Sequence, residues 1–447
     1  MKKRIISMAL CLALLLGCVL SMSSCLYALG DLVDISINGK PLGESEQRPA
    51  DNNGGNTGGD SQSSAEDGSG NGAGGAIQFY PTIDGSDMPI ESVSASTAAL
   101  LSAVTVTSHF KKYSAGDFGY SDSSDIKDYS SEGSGVIYKL DREKGDAYII
   151  TNFHVVYEKN SITEGCIAES IELYLYGQES ETYAIPATYV GGSMTNDIAV
   201  LKVENSEVLR KSYALAVSLG DSDSVAVMDS VVAIGNPEAL GMAVTSGIVS
   251  VDSETLIMTG ADGRTSISPR VMRISAAINE GNSGGGLFDA SGKLIGIVNA
   301  KKTGSEIDNI AYAIPVNVAV GIAENIIHYC DGKDTTAFYK CMLGIQLTSK
   351  VMGLVIDEES GKAIKAELVE VDSLTETCIT GDALATGDII NSVTVDGVTK
   401  QVTRIHHVID HMLTARVGSS VTLNVTRGDQ TFDVQITVPE SALTLIK

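Results

Sequence analysis

The chain has 447 residues, 43% of them hydrophobic, with 46 glycines, no tryptophan and a formal net charge of −25. That length accommodates two or three domains, and Gly-rich turns between Val/Ile/Thr-rich runs favour an all-β class. Such an acidic balance repels a phosphate backbone, which argues against nucleic acid as a partner and fits solubility on an exposed surface.

Residues 1–25 read as a targeting segment. Met1-Lys2-Lys3-Arg4 is a basic start and Ile5 to Met22 is almost wholly apolar. This fits a secretory signal peptide or a short membrane anchor, about 18 apolar residues being the lower limit for a spanning helix. Lipid attachment is a third reading, at Cys18 inside the run or at Cys25, which leaves the longer apolar stretch before a cut. All three place the chain outside the cytoplasm, secreted or attached to the cell membrane through its N-terminus. Residues 26–90 follow, with a short strand-like piece (Val33 to Lys40) and then Gly, Ser, Asn and Asp from Gly43 to Ala76. Such a segment buries too little apolar surface to offset its ordering entropy, and it reads as a tether.

From residue 91 the pattern is that of a folded domain. Between Val106 and Gly133 the chain is polar and reads as a long exposed loop; His109 within it receives no catalytic role. Tyr148-Ile149-Ile150 is a strand leading into His154, and Asp197 opens a second strand, Ile198-Ala199-Val200-Leu201. Gly284 to Leu287 and Lys293 to Val298 flank Asp289-Ala290-Ser291-Gly292 as a β-hairpin. Just before it stands Glu280-Gly281-Asn282-Ser283-Gly284-Gly285-Gly286. Residues 318–329 have helical spacing, with Val318, Ile322, Ile326 and Tyr329 on one face. Asp331 to Asp334 reads as a linker.

A His, an Asp and a Ser in this order, each beside a strand, fit one chemistry. A serine hydroxyl becomes a nucleophile when an imidazole takes its proton, and a buried carboxylate holds the imidazole in the right tautomer. Glycines around the serine let backbone N–H groups converge on an oxyanion. The candidates are Ser283 as nucleophile, His154 as general base then acid, and Asp197 as orienting carboxylate. Gly281, Asn282 and Ser283 form the oxyanion nest.

These stretches carry a resemblance. Glu132 to Tyr138 (E-G-S-G-V-I-Y), Ile150 to Val156, Asn196 to Val203, Ala233 to Pro237, Val244 to Ser250, Ala276 to Leu287 and Tyr312 to Asn317 resemble the HtrA/Deg serine proteases. That family joins a trypsin-like domain to C-terminal PDZ domains. The resemblance implies a mainly β fold, with a chymotrypsin/trypsin-like double β-barrel over 91–330. It implies a PDZ domain over 338–447, a small β-sandwich or barrel with flanking helices. Leu343, Gly344 and Ile345 would form its carboxylate-binding loop and Ile405 to Ala415 its groove helix, with an insertion around Glu358 to Lys365. It also implies that Ala277, six residues before the nucleophile, lies at the base of the specificity pocket. An uncharged Ala there favours small or medium aliphatic residues before the scissile bond. The loop Asn299 to Ala311, with Lys301 and Lys302, would form another wall. The chain departs from the family at Phe153 and Ser275, and at Glu280, where Pro is usual.

No cofactor and no metal are expected. Cys166, Cys330, Cys341 and Cys378 show no C-x-x-C spacing. His406, His407 and His411 have no H-E-x-x-H motif and no obvious carboxylate to complete a site. The expected activity is that of an extracytoplasmic serine endopeptidase acting on unfolded or damaged proteins, assembled as a homo-trimer or higher. Its PDZ domain would take peptide C-termini. The alternative is a non-catalytic chaperone or peptide-binding scaffold on the same fold.

Overall fold

The computed structural model describes residues 94–115, 121–237, 241–299, 310–333, 335–336, 338–357 and 360–446, all within one compact unit, Gln78–Lys447. The leader (1–25), the tether (26–90) and Lys301 and Lys302 lie outside the described residues. No helix among the described residues is long and apolar enough to cross a membrane.

A short helix, α1 (Ala95–Leu101), opens the described chain, capped by Ser94, whose side chain accepts the Thr97 N–H. The first closed barrel follows, built from β1 (Ala103–Ala115), β2 (Ser121–Asp141), β3 (Asp146–Thr151), β4 (Ser170–Leu175), β5 (Ile185–Ser193) and β6 (Ile198–Val203), in the order β1-β2-β3-β6-β5-β4. β3 and β6 read as near-continuous apolar runs because both faces are covered, Ile149, Ile150, Ile198, Val200 and Leu201 being almost fully buried.

After α2 (Glu207–Lys211), the second closed barrel takes β7 (Ser230–Gly235), β8 (Ala243–Thr255), β11 (Arg270–Ile274), β12 (Gly286–Asp289), β13 (Leu294–Asn299) and β14 (Ala311–Pro315), in the order β11-β14-β13-β12-β7-β8. A small hairpin, β9 (Met258–Thr259) with β10 (Ser266–Ile267), stands on the connection from β8 to β11. The expected helix is present as α3 (Val316–Cys330), with Val318, Ile322 and Ile326 buried. Each such side chain removed from water stabilises the fold by about 1.5–3 kcal/mol.

The stretch expected as a loop from Val106 to Gly133 is instead mostly paired strand. β1 and β2 form one long hairpin in which Phe110 faces Tyr129 and Lys112 faces Lys127. Val104, Val106, Ser108 and Phe110 are buried, but the polar Thr105 and Thr107 between them are buried too, so no apolar alternation marks the strand. A ring contact between Phe110 and Tyr129 (6.2 Å) and Lys112 over the Tyr129 ring (3.4 Å) hold its outer part. His109 sits on this hairpin, its Nδ1 2.9 Å from Ser130 Oγ.

The remaining chain forms a sheet of β16 (Ile345–Ile356), β17 (Ala363–Leu374), β18 (Ile389–Val395), β20 (Ser420–Arg427) and β21 (Gln430–Thr437), with β19 (Val398–Gln401) beside β18. β15 (Phe338–Cys341) pairs separately with β22 (Leu443–Ile446). Helix α4 (Ile405–His411) continues into a 3-10 turn, Met412–Thr414. Near the turn from β16 to β17, Lys362 reaches Asp229, just before β7, at 2.6 Å.

The segment after α3 is more than a linker. Asp331 accepts hydrogen bonds from the Tyr148 hydroxyl (2.6 Å) and from Lys202 (3.1 Å). Phe338 and Leu413 join the apolar cluster of α3. Gly321 on that helix is packed so closely that a Cβ there would lie 2.7 Å from the Leu413 Cβ. Cys330 and Cys341 are both buried and are not joined in a disulfide.

Candidate active site

His154 and Asp197 come from the first barrel and Ser283 from the second. His154 lies in a 3-10 turn, Phe153–Val155, directly after β3. Asp197 precedes β6 in a left-handed conformation (φ 54°), a region that aspartate tolerates better than most residues. Its carboxylate, almost fully buried, is surrounded by donors. Oδ1 accepts the His154 backbone N–H at 3.0 Å, and Oδ2 lies 2.7 Å from His154 Nδ1. Oδ2 also accepts the Asn299 side-chain amide at 2.9 Å, and the Asp197 carbonyl accepts that of Asn152 at 2.8 Å. A carboxylate at this distance assigns the imidazole proton to Nδ1 and leaves Nε2 as the basic nitrogen.

The Ser283 loop is stitched to the first barrel by Ser134 on β2. The Ser134 N–H donates to the Ser283 carbonyl (2.7 Å). The Ser134 hydroxyl donates to the Gly281 carbonyl (2.7 Å) and accepts the Asn236 N–H (2.8 Å). Two glycines make this close approach possible. Gly281 has φ 92°, out of easy reach of a residue with a Cβ. Gly284 has φ 85°, and a Cβ there would fall 2.1 Å from the Ser134 carbonyl and 2.3 Å from Thr151 Oγ1. Asn282 and Ser283 are buried within the turn, while Glu280 at its edge is exposed.

The structure thus brings His154 and Asp197 into contact and ties Gly281, Asn282 and Ser283 to the strand that precedes β3. Ala277 is exposed in the segment after β11, beside the buried Ala276. Leu343 and Gly344 lie in the connection from β15 to β16, and Ile345 opens β16. There the Leu343 carbonyl accepts the Ile379 N–H and the Gly344 carbonyl the Thr375 N–H. Asn299 was not singled out as a partner of Asp197, because nothing near it in the chain marks it as one. His406 and His407 do meet a carboxylate, that of Asp223, which precedes them by more than 180 positions.

Residues 133–297 match the trypsin-like peptidase domain family. The chain is 30% identical over 354 residues to the serine protease Do-like HtrA of Lactococcus lactis subsp. lactis, a match covering 75% of this chain and 80% of that one. It is 39% identical over 213 residues to the serine protease Do-like HtrA of Bacillus subtilis, covering 47% and 42%. With the periplasmic serine endoprotease DegP of Escherichia coli it shares 31% identity over 320 residues, covering 69% and 57%. The matched region therefore spans about half the length of the latter two relatives. The chain belongs to the HtrA/DegP family of serine proteases, and its two closed barrels are the trypsin-like double β-barrel.

Proposed function

From this membership and the site geometry, we propose that the chain is an extracytoplasmic serine endopeptidase that hydrolyses peptide bonds in unfolded or damaged proteins. The observation that carries the reading is the Asp197–His154 pair, with its Nδ1 proton assignment, on the barrel that also anchors the Ser283 loop. Ser283 attacks the scissile carbonyl, and His154 Nε2 takes its proton and returns it to the leaving amine. Asp197 holds the imidazole orientation and stabilises the imidazolium. The N–H groups of Gly281 and Ser283, presented by the turn through Asn282, stabilise the oxyanion, each donor contributing about 3 kcal/mol to the transition state. Ala277 lines the acyl-side pocket, which favours Val, Ala, Ile or Leu before the cut.

The C-terminal module reads as a PDZ domain. β16 is the terminal strand of its sheet and α4 packs near it, the arrangement in which a peptide adds a strand at a sheet edge. Leu343-Gly344-Ile345 would hold the peptide's C-terminal carboxylate. A membrane-attached N-terminus, through lipidated Cys25 or a retained anchor, and a homo-trimer complete the proposal.

Hydrolysis of an unfolded protein such as casein, with product ends mapped by mass spectrometry, tests it. Cuts after small aliphatic residues that vanish in Ser283→Ala are expected. Product ends dominated by Arg or Lys would overturn the role of Ala277. Substrate binding without hydrolysis would favour a scaffold.

A further inference from the structure

A groove of about 510 Å³ opens on the outer face of the first barrel. Its floor comes from the pairing of neighbouring strands. Thr105 on β1 stands opposite Ser134 on β2 and Tyr174 on β4, and Thr107 stands opposite Glu132 and Glu172 in the same way. Side chains alternate along a strand, so these rows lie on the face away from Val104 and Val106, which point into the barrel core. Glu179 and Glu181, from the β4–β5 connection, and Asn236, just after β7, wall the groove. The Asn236 N–H donates to Ser134 Oγ (2.8 Å), and that hydroxyl donates to the Gly281 carbonyl (2.7 Å). The groove thus begins one hydrogen-bonded serine away from the Ser283 loop.

The lining carries one sign of charge. Glu132, Glu172, Glu179 and Glu181 all line the groove, and among the described residues no lysine or arginine does. His109 also lines it, with Nε2 3.6 Å from a Glu172 oxygen. Glu132, Glu179 and Glu181 are exposed and Glu172 is half-buried, so an incoming cation can reach them. Burial, the hydrogen bond to Glu172 and the charges of Glu172, Glu181 and Glu132 push the Tyr174 phenol up to about 12, which fits carboxylates converging over the floor. Thr105 is an independent sign of a ligand. It is 5% exposed, and its hydroxyl oxygen has no hydrogen-bond partner among the described residues. A buried hydroxyl in that state is costly until a polar group reaches it. Among the described residues, no three groups of this lining bring their ligand atoms within 4.8 Å of one another. The carboxylates are therefore spread for separate cationic side chains, not gathered around one metal ion.

We propose that this groove binds basic side chains of the substrate just after the scissile bond, so that the enzyme favours Lys or Arg within the first three residues on the leaving side. The inference rests on the endopeptidase reading of Ser283 given above. The candidate acyl-side pocket lies with Ala277 in the segment after β11, and no residue of that segment or of β11 lines the groove. The groove therefore takes the chain on the other side of the bond. An extended chain advances about 3.3 Å per residue. A substrate leaving Ser283 along β2 draws level with Glu132, two positions from Ser134, at its second or third residue. A cleft of one charge sign also raises the local concentration of cationic chain. The aliphatic residue before the bond and the basic residue after it together select the cut.

The test uses a pair of fluorescent peptides identical up to an aliphatic residue at the scissile bond and continuing as Ala-Lys-Lys or Ala-Gln-Gln. The ratio of their kcat/KM values is measured for the full wild-type chain and for Glu132→Gln, Glu172→Gln, Glu181→Gln and the triple variant. Each exposed carboxylate contributes up to about 5-fold, so the Lys peptide is expected to be cut roughly 10-fold more efficiently. The ratio falls toward 1 in the triple variant, and also in about 1 M salt, where the screening length is about 3 Å. Glu207→Gln, on α2, leaves it unchanged. The amide of Glu172→Gln still accepts the Tyr174 hydroxyl that Glu172 accepts at 2.8 Å, and the other two positions are exposed, so these variants fold. The same peptides are titrated by fluorescence anisotropy onto the full chain carrying Ser283→Ala. Tighter binding of the Lys peptide there, lost in the triple variant, supports the groove whether or not the wild type cuts. Equal cutting or equal binding of the two peptides, or a Lys preference unaltered in the triple variant, overturns it. Absence of hydrolysis with the Lys preference in binding intact overturns the endopeptidase reading alone.

Discussion

Asn299 ends β13 with its amide on Asp197 Oδ2, the same oxygen that faces His154 Nδ1. A hydrogen bond to a charged group contributes about 1.5–3 kcal/mol, and this one helps keep the carboxylate aimed. Asn299→Ala is therefore expected to lower kcat roughly 10- to 100-fold with little change in KM; an unchanged kcat in steady-state assays would remove Asn299 from the site. Gly284 tests the stitching of the two barrels. Gly284→Ala combines a left-handed strain of about 1–3 kcal/mol with an overpacking cost of similar size. A loss of about 2–6 kcal/mol is expected in denaturant unfolding on a Ser283→Ala background. At this scale the candidate triad was legible because each member sits in a local signature: a strand ending in His154, Asp197 opening a strand, glycines around Ser283. Asn299 and Asp223 were illegible, because what gives each its meaning is a partner about a hundred or more positions away.

Elements differ in how openly they announce themselves. α3 showed its apolar stripe because one face lies on the barrels and the other is partly polar. The β1–β2 hairpin hid, because Ser, Asp, Lys and Tyr fill its outward positions and its stability comes from pairing across the hairpin. The packing of Leu413 on Gly321 was equally hidden, since it joins two elements about 90 positions apart. Leu413→Ala, truncating a buried side chain at that contact, is expected to cost about 2–4 kcal/mol and to lower the melting temperature. A change under 0.5 kcal/mol would mean that the contact does not hold the module. Burial pushes the Asp410 carboxyl up to about 6, against the opposing pull of Arg270. A carboxyl with a folded pKa above its unfolded value of about 3.9 binds its proton more tightly when folded. This group therefore lowers stability as pH rises from about 4 to 6. Asp410→Asn should flatten that part of the stability curve; an unaltered slope would place the titration elsewhere.

The whole molecule is less modular than a protease with a pendant domain. Lys362 on Asp229 (2.6 Å), Arg404 on Asp252 (2.9 Å) and Lys400 on Asp223 (2.7 Å) join the C-terminal module to the second barrel. Arg404, almost fully buried, also pairs with Glu367 inside the module at 3.1 Å, so deleting the module leaves Asp229, Asp252 and Asp223 without these cations. Deletion of residues 338–447 is thus expected to leave a protease of lower melting temperature that still cuts short peptides and is altered on unfolded proteins. A peptide seated at β16 changes turnover only by binding active and inactive states differently. Glu280, free of the φ restriction that Pro would impose, places the candidate switch in the Ser283 loop. All of this rests on hydrolysis by Ser283 and His154. The direct measurement is the turnover of a short aliphatic peptide by wild type, Ser283→Ala, His154→Ala and the double variant. Members of one catalytic unit are non-additive, so each single change should lower kcat by orders of magnitude and the double change by little more. Turnover near the wild-type rate in either single variant would contradict the assignment.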